Sequence, residues 1–377
     1  MKKGDKDLYL LGGSSFLNDV GSEMITPLLP FLIASMGGAG LAIGLVSGLR
    51  EGLSGLVKLF GGWFSDRSGK RRIFISSGYS ISIFFRLALA LATSWQQIVT
   101  FVSFERFGKM RDAPRDSIIS ETSKKHGRGF GIHQTMDTAG AILGSLIVLL
   151  LFWKLGWSFK AIIITASIIS SFSLIPLIFL TKRKIKPQKV SLFKGVSELS
   201  PKIKYLIFVF SVFTLGNFGL YLFILLIVKE ITGSFVIPLL FYLVFNIISA
   251  SFLVYFGKLS DKIGRKKVLM FGFILFAIVS TSFIFNGKNM LGILLLFGFY
   301  GLVNSSTISN QKAFISDLSN ELKGTAMGFY YFVTGSVNIL AGIIAGVLWD
   351  ISPKIMFEYI TVIAIISIIL LSFVKEE

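Results

Sequence analysis

The chain has no cysteine and only two histidines, His126 and His133, among its 377 residues. Disulfides, thiolate-held zinc and cysteine-ligated iron–sulfur clusters are therefore excluded, although no compartment is indicated. Both histidines stand beside a basic loop, where a lone imidazole is usually a polar interface residue, so no metal site is assigned. Charge is scarce: 15% of residues are charged against 53% hydrophobic, with 20 acidic side chains facing 38 basic ones. No Gly-x-x-x-x-Gly-Lys-Ser/Thr string occurs, which leaves ATP-driven work without its phosphate cradle. Nor is any nucleophile–base arrangement recognisable, so the chain is read as not an enzyme and as using no cofactor.

What is present is apolar sequence. A mean hydropathy of +0.75 places the chain in a bilayer rather than in water. The net charge of +18 would suit nucleic acid, but the Lys and Arg residues crowd into alternate loops, a pattern of membrane topology. No nucleic-acid partner is expected. About twelve apolar runs are long enough to cross a membrane. They lie near Leu8–Met36, Leu41–Phe64, Ile73–Thr93, Ile98–Pro114, Phe130–Leu155 and Ala161–Leu180, then Leu206–Val228, Phe235–Phe256, Val268–Phe285, Met290–Ile308, Ala326–Leu348 and Ile355–Val374. The first run lacks a small-residue cleavage site and contains Asp19 and Glu23, which makes it a retained helix rather than a signal peptide. An even number of crossings with Lys2, Lys3 and Lys6 at the start predicts a multi-pass protein of the cell (inner or plasma) membrane with both termini cytoplasmic.

Residues 182–204 form the longest basic interval and divide a bundle at 1–181 from one at 205–377. Leu192, Phe193, Val196 and Leu199 recur there at helical spacing, which predicts an amphipathic helix on the anionic inner leaflet.

One stretch occurs twice. Gly61–Arg72 reads GGWFSDRSGKRR and Phe256–Lys267 reads FGKLSDKIGRKK, so Gly62, Asp66, Gly69 and the basic cluster after it, which includes Arg71, are answered in step by Gly257, Asp261, Gly264 and Arg265, Lys266 and Lys267, with Arg67 a further basic residue of the first copy. A turn between two spans must sit at the water interface, since its backbone polar groups would go unsatisfied in hydrocarbon. Glycine at its centre allows a tight reversal. A basic topogenic turn explains one copy; two copies in register point to two related halves. This resembles motif A of the major facilitator superfamily of transporters, found after the second and eighth helices. Gly131, Gly140 and Gly144 are similar to the family's antiporter signature, with Ser145 standing where that signature carries proline. Phe104-Glu105-Arg106-Phe107-Gly108 resembles its arginine-containing motif B, with a shorter Arg-to-Gly spacing. SEMITPLLP at Ser22–Pro30 and RDAPRD at Arg111–Asp116 look like a prokaryotic branch with mostly unassigned substrates.

The resemblance implies an all-α integral membrane fold of twelve transmembrane helices in two pseudo-symmetric six-helix bundles. It also implies secondary transport of a small molecule or ion by alternating access, here read as proton-coupled efflux by antiport. The paired loops would gate, with Asp66 facing the start of the eleventh helix near Gly324, Asp261 facing the fifth near Gly131, and Arg111 and Arg115 as further partners. Protons and membrane lipids are the other expected partners, and the chain is expected to act as a monomer.

Charged side chains inside a membrane cost roughly 2.5–3.5 kcal/mol even on the lenient insertion scale and should face a cavity or a partner. The first half holds Asp19 and Glu23 one turn apart, Arg50 and Glu51, Arg86, Glu105 and Arg106, and Asp137. The second half offers amides, with Asn217, Asn246 and Asn304 on the seventh, eighth and tenth helices. Two carboxylates within one turn in low dielectric do not both stay charged comfortably, so Glu23, Asp19 and Asp137 are the proton-coupling candidates, Glu23 foremost. Arg50, Glu51, Arg86, Glu105, Arg106 and the three asparagines are the substrate candidates, and Arg106 is expected to pair with the carboxyl group. Lys58 is expected to snorkel. The plain alternative is that these acids and bases pair with one another and hold helices together. Other readings are uptake of an organic anion by Arg50, Arg86 and Arg106, and efflux of a divalent metal held by Asp19, Glu23 and Asp137. A receptor or scaffold without transport does not account for the paired loops.

Overall fold

The computed structural model describes residues 3–122, 126–181, 196–319 and 323–374. Among them every regular element is helical, and the helices form twelve consecutive spans. The first six are α1 (Lys3–Ile25, continued by Leu29–Ser35), α2 (Gly40–Ser68), α3 (Arg71–Ala88), α4 (Trp95–Phe107, continued by Asp112–Thr122), α5 (His126–Leu155) and α6 (Phe159–Ser171). The others are α7 (Pro201–Gly216, continued by Tyr221–Thr232), α8 (Val236–Ile263), α9 (Arg265–Phe285), α10 (Met290–Leu318), α11 (Lys323–Ile351) and α12 (Pro353–Ser372).

The starts of several helices follow from the local sequence. Ser94, Ser158, Ser200, Asn289 and Ser352 each accept a hydrogen bond from a backbone N–H two or three residues on, satisfying donors that no helical carbonyl can reach. Pro201 and Pro353 follow two of these caps, where the missing N–H is harmless. The interruptions are equally local. A 3-10 turn at Thr26–Leu28 contains Pro27 and breaks α1; Gly108–Arg111 forms another in α4. Gly219, at a φ of +49°, lies in the break of α7.

Among the described residues, ten helices are long and apolar enough to cross a membrane by length and composition. The other two spans are α1 and α4, which carry Asp19 and Glu23, and Glu105, Arg106, Arg111 and Asp112, and are both broken. Large apolar side chains such as Phe84, Leu91, Phe285 and Leu291 are exposed on the helices, as suits a surface solvated by hydrocarbon tails.

The chain divides into two compact units, one of Met1–Gly37 with Leu53–Ser191 and one of Gly38–Gly52 with Leu192–Glu377. In unit 1, α1 packs along α5 because Gly140 and Gly144 let the backbones meet. A Cβ on Gly140 would lie 2.6 Å from the Phe16 carbonyl oxygen, and one on Gly144 would press on Val20 and Glu23. In unit 2, Gly40, Gly44 and Gly48 bring the first part of α2 against α11, with Gly346 close to the Gly40 carbonyl. Asp350, near the end of α11, accepts from the Gly40 and Leu41 N–H groups at 2.6 and 2.9 Å and so caps α2. Aromatic packing fills the centre of this unit, where Phe213 stacks on Phe273 at 3.8 Å.

Val196–Leu199 form a turn with Leu199 buried, so the amphipathic helix expected there is not formed by these residues. Pro201 begins α7 directly afterwards, and Leu199 is used as core. Leu192 and Phe193 lie outside the described residues.

Candidate functional site

The ionisable residues of α3 and α4 meet inside unit 1. Glu105 receives Arg86 at 3.0 Å and Arg106 at 2.7 Å, with all three side chains under 9% exposed. Arg86 continues to α1 and α6, donating to the backbone and side-chain oxygens of Asn18 at 3.3 Å and to the Ser170 hydroxyl. Arg106 thus forms an ion pair with Glu105, next to it in the chain. Both residues sit near the end of one helical segment, and their long side chains curl onto a shared buried centre.

One helical turn further on, past the break at Gly108, a second centre forms around Asp112. Its carboxylate lies 3.1 Å from Lys58, 3.5 Å from Arg115, 3.8 Å from Arg111 and 3.9 Å from Lys109. Lys58 therefore pairs with a buried acid instead of snorkelling, because α2 packs on this break through Gly61. Arg111 also donates to the Ser82 hydroxyl at 2.8 Å and lies over the Tyr79 ring at 4.4 Å. Arg115 reaches α1, donating to Ser15 at 3.1 Å, and pairs with Asp116.

The proton-coupling candidates lie along the α1–α5 contact. Asp19 accepts from the Asn18 amide at 3.1 Å, and its charge interacts with that of Asp137 and with Lys109, Arg111 and Arg115. Asp137 lies 3.3 Å from Nδ1 of His133 and is half-buried. Glu23, half-buried one turn beyond Asp19, has its Cβ against the Gly144 backbone.

Both of the paired loops turn on a glycine at positive φ. Gly69 has φ +68° and Gly264 φ +100°, the left-handed region that glycine enters without strain. In one loop Asp66 lies 3.4 Å from Arg71, and Arg67 lies over the Trp63 ring at 5.2 Å, while Gly62 packs on Ala113. In the other, Arg265 bridges Asp261 at 2.5 Å and Asp317 at 3.0 Å, and nothing crowds Gly257.

Unit 2 holds the neutral candidates. Asn217 accepts from the Tyr300 hydroxyl at 2.8 Å, and Asn304 donates to Ser249 at 2.8 Å. Asn246 is half-buried on α8. Arg50 is buried, whereas Glu51 is exposed, and both fall in the part of α2 that belongs to this unit. A cavity of about 410 Å³ between α7 and α11 is walled mainly by apolar side chains, with Lys204 and Ser211 the polar ones, and contains none of the candidates.

Two bundles with matched loops and buried charge in the first call for comparison with known proteins. The family model described as Major Facilitator Superfamily matches residues 11–250 and 206–377. The chain belongs to the major facilitator superfamily. An uncharacterized MFS-type transporter of Methanocaldococcus jannaschii is 46% identical over 379 residues, covering 98% of this chain and 95% of that one. The multidrug resistance protein MdtH of Photorhabdus laumondii is 25% identical over 235 residues, 60% of this chain and 57% of its own. Among solved structures, a mutant of the nucleoside transporter NupG aligns with a TM-score of 0.81 at 14% identity, over 98% of this chain and all of that one. The human organic anion transporter TETRAN aligns at 0.71 and 14% identity, with the same coverage of this chain. At such identities the likeness is one of fold.

As a major facilitator transporter, the chain is a multi-pass membrane protein that carries a small molecule, not an enzyme. The sequence marks Arg86, Glu105, Arg106, Arg111 and Arg115 of its buried network, but neither Asp112 nor the neutral members. Asn18, Ser15, Ser82 and Ser170 supply the hydrogen bonds that hold the arginines, and the Tyr79 ring lies under Arg111. Asp112 was hidden within the RDAPRD string, where the alternation of acid and base around a helix break was the available signal.

Proposed function

We propose that this transporter exports a small solute in exchange for protons, with the carboxyl group of Asp19, Glu23 and Asp137 as the coupling site. What supports the reading is the arrangement on the α1–α5 contact. Asp19 and Asp137 act on each other electrostatically, and Asp137 is half-buried beside His133. A charged carboxylate so placed is costly, and a proton removes the charge. Such a pair is suited to exchanging a proton as a unit. Glu23 remains in the group by its position one turn away, although the pair Asp19 and Asp137 has the more direct support. Release of the proton would recharge the pair and alter its balance with Arg115 and Lys109, giving a bundle with two states that a substrate can bias. Export is favoured by the name of the MdtH relative, which is that of a multidrug resistance protein. The distribution of basic residues favours a cytoplasmic position for both termini and both paired loops, where the loops would control access.

Uptake of an organic anion draws less support, because Arg86 and Arg106 are both held by Glu105. A divalent metal as cargo draws less still: among the described residues no three His, Asp or Glu side chains gather in a metal-holding group.

The test uses everted membrane vesicles acidified inside. Solutes chosen by thermal shift of the purified protein, where a ligand of the folded state raises the melting point, should accumulate in the vesicles. Nigericin, which collapses the pH difference, should stop that accumulation. Accumulation that survives nigericin would count against proton coupling.

A further inference from the structure

A second polar feature, in unit 2, is not used by the coupling site. The break in α7 at Asn217–Leu220 leaves backbone carbonyls outside any helix, and the Ser47 hydroxyl of α2 donates to those of Phe218 at 2.9 Å and Gly219 at 3.3 Å. Glu51 stands one turn after Ser47, on the same face of α2. The face that carries Ser47 to the α7 break therefore also carries Glu51, one turn further along α2. The side chain is exposed and not consumed by packing.

The surroundings are aromatic. Tyr221, at the start of the second segment of α7, lies 5.8 Å from Tyr242 and 6.2 Å from Phe245, ring centre to ring centre. Phe245 stacks with Tyr300 at 5.5 Å. Tyr300 is fixed in turn by its hydroxyl, which donates to Asn217 at 2.8 Å. Close-packed rings such as Phe297 are core by any reading, but Tyr221 is only half-buried, and its ring edge lies beside Gly219, as does Ser47, one turn before Glu51. Aromatic faces carry partial negative charge and attract cations, most of all weakly hydrated organic ones. Broken helices in transporters of this architecture are where ligands meet free backbone groups.

We propose that Glu51, Tyr221, Tyr300 and Asn217 form part of a binding site for an organic cation, the carboxylate supplying charge and the rings an apolar, electron-rich wall. The proposal rests on the transport reading and names the class of its cargo. An organic anion is disfavoured at this place because it would meet a carboxylate and the faces of the rings. A metal ion is disfavoured because a single carboxylate and an amide make a poor oxygen shell.

Tetraphenylphosphonium and tetraphenylborate have nearly the same size and shape and opposite charge, so they separate this chemistry from plain hydrophobic partition. Binding of each to the purified full chain in detergent would be measured by equilibrium dialysis. The wild type should bind tetraphenylphosphonium saturably and tetraphenylborate at least tenfold more weakly. Glu51→Gln should weaken the cation by about tenfold or more, and Tyr221→Leu, on a half-buried residue that tolerates change, by several-fold. Size-exclusion profiles establish which variants are folded. Equal binding of the two ions, no saturable cation binding, or unchanged affinity in folded Glu51→Gln and Tyr221→Leu would each overturn the site. Because this is equilibrium binding without a pH gradient, its failure leaves proton coupling standing, and failure of the nigericin test leaves the site standing.

Discussion

Replacing Glu105 by glutamine keeps the shape of the side chain and removes the one negative charge shared by Arg86 and Arg106. At separations of 3.0 and 2.7 Å, an effective dielectric of about 20 makes each attraction roughly 5–6 kcal/mol before desolvation is counted. The net loss is smaller, because the pairs have already given up their hydration. Removing one partner of a buried ion pair typically costs ~3–5 kcal/mol, since the other charge is left uncompensated. Arg86 keeps Asn18 and Ser170 as neutral acceptors, which places Glu105→Gln towards the lower end of that range. Arg106→Gln should cost less, as it leaves Glu105 paired with Arg86. The double variant Glu105→Gln with Arg106→Gln should lose less than the sum of the two, with a coupling of about 1–3 kcal/mol. Heating the purified protein while following tryptophan fluorescence and the monodisperse fraction gives the comparison. A Glu105→Gln protein that melts with the wild type, or strict additivity in the double variant, would show that the buried triad does not hold the helices as argued.

Gly144→Val should lower thermal stability by about 1–3 kcal/mol, as overpacking does, because the new side chain meets the Val20 backbone and Glu23; a neutral effect would mean that α1 and α5 are not packed this closely. Single cysteines placed at residues 182–204 have no native thiol background and should react with an impermeant reagent only in permeabilised cells, so labelling in intact cells would reverse the topology. Asp66→Asn, which breaks the pair with Arg71, should reduce transport and shift the population of access states at near-normal expression; unchanged transport with an unchanged distance distribution between probes on the two bundles would remove the loops from gating.

The spans were legible in the sequence because hydrocarbon imposes a length and a composition that few other environments do. Most breaks were legible in principle too, from Pro27, Gly108 and Gly219. The paired loops were legible through Gly69 and Gly264, whose recurrence at one spacing marks a turn that needs positive φ in each copy. The charged network was legible as a set of residues but not as a set of partners. Glu105 and Arg106 are neighbours in the chain, yet nothing in their spacing says that Arg86 completes the triad or that Asn18 and Ser170 close it from two other helices. Lys58 illustrates the same limit. From the end of α2, snorkelling and pairing with Asp112 are equally compatible with the sequence, and only the close approach of Gly61 to the α4 break decides between them. The division of α2 between the two units was illegible for a related reason: a stripe of glycines announces a close contact without naming the helix that it meets.

The central claim, that the carboxyls between α1 and α5 couple transport to protons, is tested most directly in proteoliposomes. Wild type and the variants Asp19→Asn, Asp137→Asn and Glu23→Gln would be compared under an imposed pH gradient and, separately, in substrate exchange without one. Loss of gradient-driven accumulation with exchange retained in Asp19→Asn or Asp137→Asn is the predicted result. Full gradient-driven transport by all three variants would contradict it.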